Sequence, residues 1–235
     1  MKIIILLIVS LGIVYCGKAT ETNKESKSTL KFVIGDVEIA NAGTKKVAKK
    51  DDTISEGDVI ITGAKSAAIV EFAENAGSVE IQQNSEFVVN KFNAKEQELI
   101  SKSGSFWLNA KKLRKDTNFN VIMPTSVAGI RGTSIYAYEL KEAGITGICH
   151  CQGAVDFKEH SSHYSGSHDS DYLVVTKAGK TIVLTPDDFQ KAGIQTDNAH
   201  NHSMLENSPL GKQMNLNSET VKKVNELVLN KFSEK

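Results

Sequence analysis

The chain has 235 residues, with 28 Lys and Arg balancing 28 Asp and Glu, so its formal net charge is zero. This balance provides no overall attraction to nucleic acid or anionic lipid, and we expect no nucleic-acid partner. A hydrophobic fraction of 40% with 24% charged residues is typical of a folded globular protein. Three cysteines are too few for a disulfide scaffold.

The N-terminus combines one positive residue with a short apolar segment. Lys2 precedes residues 3–15, which are apolar except for Ser10 and Gly12. A helix of this length spans about 20 Å, against roughly 30 Å of hydrocarbon in a bilayer, so it is short for a transmembrane helix. The pattern predicts a secretory signal peptide over residues 1–15.

Cys16 directly follows the apolar segment and is far from the other two cysteines. Ile13-Val14-Tyr15-Cys16 resembles the cleavage site of bacterial lipoproteins, in which the cysteine becomes the lipidated first residue. Tyr15 replaces the usual Gly or Ala, a departure of the kind known in spirochaetes. An ordinary cleaved signal peptide and an uncleaved anchor remain open. We expect a lipid-anchored protein of the bacterial envelope, periplasmic or facing the outer membrane, with residues 16–29 as a polar tether.

The body of the chain has the pattern of half-buried strands. Apolar residues mostly alternate with polar ones over residues 30–184, as in residues 68–72 and 79–81. β-branched residues dominate these segments, and proline is absent between Phe32 and Met123. The sequence therefore predicts an all-β domain over residues 30–184, either a twisted β-sandwich or a β-solenoid-like fold.

A loose repeat supports the same fold class. Gly-Asp-Val-Glu-Ile begins at Gly35, and similar five-residue units begin at Gly57, Gly77, Gly104 and Gly153. In each unit we expect the glycine to turn the chain and the second and fourth following residues to point into a core. Stacked two-strand units would give this spacing, and so would ordinary turn–strand junctions of any all-β fold.

An ordered series of these segments resembles the FecR domain over residues 33–157, with an extension to Leu184 left open, which is more than half of the chain. The segments are, in chain order, residues 54–63, 66–70, 77–81, 104–108 and 119–133. The last is the most specific, with the pattern F-x-V-x-x-P-x-x-x-A-x-x-R-G-T followed by a strand. Within it we assign a structural motif to Arg131, Gly132 and Thr133. A buried Arg131 guanidinium would need carbonyls or a carboxylate, so pinning of a turn is favoured over ligand binding.

The resemblance implies an envelope domain that relays a signal. FecR-like proteins of iron signalling receive a transporter's signal in the envelope and control a sigma factor through a cytoplasmic tail. Because only Met1 and Lys2 precede the apolar segment, we expect an envelope module without direct control of a sigma factor. No G-x-S-x-G, P-loop or H-E-x-x-H motif is present. We therefore expect a non-enzymatic interaction or signalling module with an unidentified envelope protein partner.

One cluster of residues could carry chemistry. On a strand, Cys149 and Cys151 would share a face and His150 would lie on the other. Two such sulfurs with a loop histidine could bind zinc or copper, which makes a metal-binding or metal-sensing envelope protein the alternative function. A disulfide, or buried thiols beside solvated histidines, remain open, and no cofactor is firmly predicted. The candidate ligands are Cys149, Cys151, His160, His163 and His168.

The C-terminal part differs in kind. Residues 185–217 are loop-rich, with a short turn of helix after Pro186. Residues 218–235 carry apolar side chains at helical spacing and predict an amphipathic helix. We expect its apolar stripe to pack on the β-core, with a partner as the alternative. The stripe consists of Val221, Val224, Leu227, Val228 and Phe232.

Overall fold

The computed structural model describes most of the predicted β-domain and the C-terminal helix. The predicted signal peptide, Cys16 and His160 lie outside the described residues, and no described helix is long and apolar enough to cross a membrane. The described residues are 27–73, 76–92, 95–110, 117–159, 162–168, 172–194 and 218–234.

Sixteen strands and two α-helices make up the described part of the chain. The strands are Ser28–Ile34 (β1), Val37–Asn41 (β2), Thr44–Val47 (β3), Thr53–Ile54 (β4), Val59–Thr62 (β5), Ala67–Glu71 (β6), Gly77–Ile81 (β7), Glu86–Phe92 (β8), Glu96–Ser103 (β9), Phe106–Ala110 (β10), Asn118–Ile122 (β11), Val127–Leu140 (β12), Ile145–Glu159 (β13), Ser162–His168 (β14), Tyr172–Lys177 (β15) and Lys180–Leu184 (β16). The helices are Pro186–Lys191 (α1) and Ser218–Ser233 (α2), and a 3₁₀ turn spans Lys141–Ala143.

The strands form one curled, mixed sheet, which confirms the predicted all-β class. The main path runs β3-β2-β5-β8-β9-β11-β12-β10-β7-β6-β1-β4, and β13 continues it from β12 to β14 and β15, with β16 after β15. Only β9 and β11 pair in parallel among the described strands; the other pairs are antiparallel. The architecture is therefore a sheet curled over its own core, not a stack of identical solenoid coils.

The concave face of the sheet holds the larger core, which we call the inner cluster. It is built from every second residue of the strands, as expected where one face of a strand is buried. Large side chains with at most 2% exposure fill its centre, and two phenylalanine pairs, Phe72–Phe119 and Phe87–Phe106, pack edge to face. These large side chains include Leu30, Phe72, Phe87, Leu99, Phe106, Phe119 and Phe157.

A second core, the outer cluster, covers the opposite face at one end of the sheet. Trp107 and Cys149 belong to it, whereas their strand neighbours Phe106 and Ile148 belong to the inner cluster. Both helices pack here, α1 through Phe189 and α2 through the fully buried Val228. The predicted C-terminal helix is thus confirmed, and its apolar stripe packs on the β-core.

Local polar contacts fix the start of α1. Thr185 is the N-cap, and its hydroxyl accepts a hydrogen bond from the Asp188 amide, while the Asp188 carboxylate accepts from the Thr185 amide at 2.9 Å. This reciprocal capping satisfies backbone donors that a helix start leaves unpaired. It orients Phe189 toward the outer cluster.

The five repeat glycines all turn the chain with positive φ, from +73° at Gly35 to +136° at Gly77. The predicted inward positions are buried after four of them. After Gly57 the phase is shifted by one residue, so that Ile60 and Thr62 are buried. The reason is Asp58, which is buried and accepts a hydrogen bond from the Ser55 amide at 2.8 Å.

Candidate functional site

The Arg-Gly-Thr segment lies at an irregularity in the longest strand pair. β12 and β13 pair antiparallel over their whole length, but their register shifts between Arg131 and Ser134 and again before Ile135. Gly132 and Gly153 face each other there with φ of +60° and +86°. A Cβ atom on Gly153 would lie 2.6 Å from the Gly132 carbonyl oxygen. The two backbones can approach this closely only because Gly153 has no side chain.

The structure does not support the predicted role of Arg131 in pinning a turn. Its side chain is exposed, and it makes no ion pair with another described residue. Thr133, by contrast, is buried at 3% exposure and packs beside Gly153. The glycine pair and Thr133 therefore shape the irregularity, and the guanidinium of Arg131 is available at the surface.

His150 stabilises the same irregularity from the inner side. It is fully buried, and its Nε2 lies 2.8 Å from the Gly153 carbonyl oxygen, which can only accept a hydrogen bond. Nε2 therefore carries the proton, and Nδ1 accepts from the Tyr164 hydroxyl at 3.1 Å. The imidazole ties β13 to β14, so its role here is structural.

The structure does not bring the described candidate metal ligands together. Cys149 pairs with Tyr136 and Leu173 in the outer cluster, whereas His163 pairs with Lys158 at the far end of β13. Nine residues of β13, including the irregularity at Gly153, separate these pairing positions. The described residues contain no group of three or more His, Cys, Asp or Glu that could hold a metal. The side chains of Cys151, His160 and His168 lie outside the described set, so metal binding there stays a prediction.

An exposed polar face extends across the strands that flank Arg131. Asn120, Gly129, Asp156 and Ser165 are successive cross-strand partners in β11 to β14, so their positions share one face of the sheet. Arg131 is two residues from Gly129 and lies on the same side. We call this the β12–β14 face; its further exposed members are Val127, Lys158 and His163.

Charged groups on the β12–β14 face are paired around one carboxylate. Asp156 contacts Lys158 at 3.0 Å and also contacts the His163 imidazole. Partial burial tends to raise the pKa of Asp156, but hydrogen bonds and charge from Lys158 and His163 outweigh it, and the pKa is lowered. Asp156 therefore stays ionised at neutral pH and gives the face a negative charge beside the positive Lys158.

The β12–β14 face ends at an edge strand that lacks the usual protection. Within the described sheet β14 pairs only with β13, and its sequence is Ser-His-Tyr-Ser-Gly-Ser-His. It has no Lys, Pro or bulky aliphatic residue, whereas the edge strand β3 carries the exposed Lys45 and Lys46. Natural proteins normally protect edges with such lysines or with proline. β14 thus has no strand paired on its outer side among the described strands. Its first residue, Ser162, contacts β16, where the Thr181 hydroxyl donates a hydrogen bond to it at 2.7 Å.

Glu80 is a buried carboxyl that alternation alone did not distinguish from a solvent-facing strand residue. It is only 6% exposed, and its cross-strand neighbours are Ile69 and Trp107. Burial raises its pKa to about 7, and a hydrogen bond from the Gln82 amide at 2.8 Å offsets this only in part. The sequence signal was the run Phe106-Trp107-Leu108, because consecutive apolar residues indicate that both faces of the sheet are covered.

Comparisons with known proteins match the central part of the chain, up to Asp156. Residues 58–156 match the FecR protein family, which confirms the resemblance found in the sequence. Two structures of a proposed anti-sigma factor from Parabacteroides distasonis ATCC 8503 are similar at 12% and 13% identity, each with a TM-score of 0.48. The matches cover 57% and 59% of this chain and 62% and 65% of that protein, less than two thirds of its length. No curated protein matches the chain in sequence.

Proposed function

We propose that this chain, which carries a FecR domain over residues 58–156, is a lipid-anchored protein of the bacterial envelope that acts as a non-enzymatic interaction or signalling module. The family match supports the signalling or interaction role. The lipid anchor is supported by the apolar segment of residues 3–15 followed by Cys16. The partner is another envelope protein.

The observation that carries the proposal is the β12–β14 face, because it joins the most distinctive FecR segment to an open sheet edge. Arg131 of that segment is exposed, and Asp156, Lys158 and His163 lie on the neighbouring strands. Mixed charges of this kind select a partner by complementarity more than they add raw affinity. Val127, with 39% exposure, supplies an apolar contact among them.

The mode of binding is strand addition at β14 with side-chain contacts on the β12–β14 face. Backbone hydrogen bonds along an edge strand provide affinity, and alternate side chains provide specificity. The alternating exposure of His163, Ser165 and Ser167 suits this mode. A rigid support is also required, and the Gly153 irregularity and the His150 hydrogen bonds supply it.

Site-specific photocrosslinking in intact cells tests the proposal. A photoreactive amino acid at Ser165, exposed on β14, should yield an adduct with one discrete envelope protein. The matched control is the same amino acid at Lys45, which is exposed on a different edge strand, β3. Adding Arg131→Glu should reduce the Ser165 adduct several-fold, because the charge on the binding face is reversed. Equal adducts at both positions, or none at either, would contradict the proposal.

A further inference from the structure

Helix α2 is held on the sheet by a narrow apolar stripe. Val228 is its only fully buried residue among those described, and Val224, Leu227 and Phe232 are partly buried against the outer cluster. Leu229 remains 41% exposed. The helix is thus attached by a few side chains at successive turns and by no hydrogen-bonded strand pairing.

The opposite helix face is stabilised within the helix itself. Lys223 pairs with Glu219 at 3.3 Å, and Lys222 lies 4.0 Å from Glu226, both at i,i+4 spacing. Such pairs support a helix independently of tertiary contacts. α2 therefore has some capacity to remain helical when it leaves the sheet.

The outer cluster, against which α2 packs, contains a row of aromatic residues on the sheet, and we call this surface the aromatic groove. Trp107 packs against Tyr136 with ring centroids 4.7 Å apart, and Tyr136 stacks on Tyr138 at 6.1 Å. The Tyr138 ring lies directly on Gly147, where a Cβ atom would come within 2.5 Å of it. Leu173 and neighbouring residues of β15 and β16 extend the apolar floor. Apolar side chains of α2 pack against this cluster, as an amphipathic helix does in an apolar groove.

One polar group in the groove lacks a partner within the described part of the chain. The Tyr138 hydroxyl is buried and makes no hydrogen bond with the described residues. An unsatisfied buried hydroxyl is costly, so the contact between groove and helix is not an optimised permanent core. This favours a contact that opens and closes over one that is fixed.

The connection to α2 is long. Ile194 is buried in the outer cluster, α2 begins at Ser218, and residues 195–217 join them with 23 residues. Fully extended, a connection of this length reaches up to about 75 Å at about 3.3 Å per residue. The same connection can therefore reach the groove of an adjacent molecule as well as its own.

We propose that α2 is exchanged between two copies of this chain, each helix docking into the aromatic groove of the other. A second copy of the chain is the best-supported partner for the groove, because it carries the same α2 helix that packs against this cluster within one chain. Exchange of an identical element makes the same contacts in monomer and dimer and is a low-cost route to a symmetric dimer. The inference does not depend on the partner bound at β14.

The test uses the full chain and a peptide of residues 218–235 carrying a fluorescent acceptor. Trp107 is the only tryptophan of the chain and lies in the groove, so energy transfer from it reports entry of the labelled peptide. Sedimentation velocity over a concentration series should show monomer and dimer. Excess peptide should lower the dimer fraction at least twofold while acceptor emission rises.

Two neighbouring substitutions provide matched controls. A Val228→Asp peptide should neither dissociate the dimer nor receive energy from Trp107, because a carboxylate would replace the buried side chain. A Leu229→Asp peptide should act like the native one, because Leu229 is exposed. The unmodified chain is used throughout, so misfolding of a variant cannot obscure the result. The absence of a dimer, or a dimer that native peptide leaves intact, would overturn the proposal, and neither result would affect the Ser165 crosslink.

Discussion

Gly153 shows how a single missing side chain allows β12 and β13 to bend together. An alanine there would combine positive-φ strain with a contact of 2.6 Å to the Gly132 carbonyl. Gly153→Ala should therefore lower the free energy of unfolding by about 3 kcal/mol, since strain of this kind costs about 1–3 kcal/mol before any clash. Urea unfolding followed by circular dichroism measures the loss.

Gly43 separates the strain from the clash. Its φ of +84° is close to that of Gly153, but no atom lies within 4 Å of a built Cβ. Gly43→Ala should cost only about 1 kcal/mol, the strain alone. If both variants lost the same stability, the close approach at Gly153 would have no energetic role.

Glu80 makes stability depend on pH near neutrality. Its pKa is about 7 in the folded protein, against 4.5 for an unperturbed glutamate, so the folded state retains a proton that the unfolded state releases. Its contribution is therefore present at low pH and is lost as pH rises from about 4.5 to about 7. The whole loss is on the order of 3 kcal/mol.

Glu80→Gln should remove this dependence while keeping an acceptor for Gln82. We expect the variant to be more stable than wild type at pH 8 by roughly 2–3 kcal/mol, and similar near pH 4. Glu86→Gln is the matched control, because Glu86 is at the surface beside Lys102 and should leave the pH profile nearly unchanged. Parallel profiles for wild type and Glu80→Gln would show that Glu80 has an ordinary pKa.

At the residue scale, the sequence predicted apolar positions better than polar ones. Alternation of apolar and polar residues identified the strand around Glu80. Whether the Glu80 carboxyl is buried depends on what covers its face of β7, the face opposite Val79 and Ile81. Arg131 was assigned a structural role because its neighbours are apolar, yet the side chain is exposed. Alternation specifies that Ile130 and Arg131 face opposite ways, and only the assembled sheet specifies which way faces solvent.

At the scale of elements, glycine turns were the most informative signal. All five repeat glycines have positive φ, and each precedes or lies within a strand. Which residues of each strand face the core was harder to predict. In β5 the buried turn residue Asp58 shifts the buried positions by one residue. A one-residue shift transfers a whole strand's side chains to the other face. The amphipathic α2 was predictable from spacing, since Val224, Leu227 and Val228 define one stripe.

At the scale of the whole molecule, two cores share one sheet. β10 is the clearest case, since all five of its residues are buried. Phe106 and Leu108 face the inner cluster, and Trp107 faces the outer one. The order of strands could not be predicted from sequence, because β1 pairs with β6 and β10 with β12, and such non-local pairs leave no periodic pattern. The outer cluster depends on these pairings, so the groove under α2 was equally hidden.

The proposed lipid anchor makes the location of the whole molecule depend on Cys16. The chain is neutral and has no overall electrostatic attraction to anionic lipid, so the proposed membrane association rests on a covalent lipid or on an uncleaved apolar segment. Cys16→Ser should abolish metabolic labelling with a fatty-acid analogue and leave the precursor unprocessed. Cys149→Ser, which changes a thiol buried in the outer cluster, should keep the label.

The combination of label and chain length distinguishes the three possible N-termini. A labelled, shortened wild-type chain is expected for a lipoprotein. An unlabelled, shortened chain released into the soluble fraction would indicate an ordinary signal peptide. An unlabelled full-length chain in the membrane would indicate an uncleaved anchor.

Lipidation would also hold neighbouring copies on one surface, where proximity raises their effective concentration. Exchange of α2 between copies should then be more extensive for the lipidated chain than for the Cys16→Ser variant. Chemical crosslinking of equal amounts of the two proteins, one in the membrane fraction and one in the soluble fraction, would measure the dimer content of each.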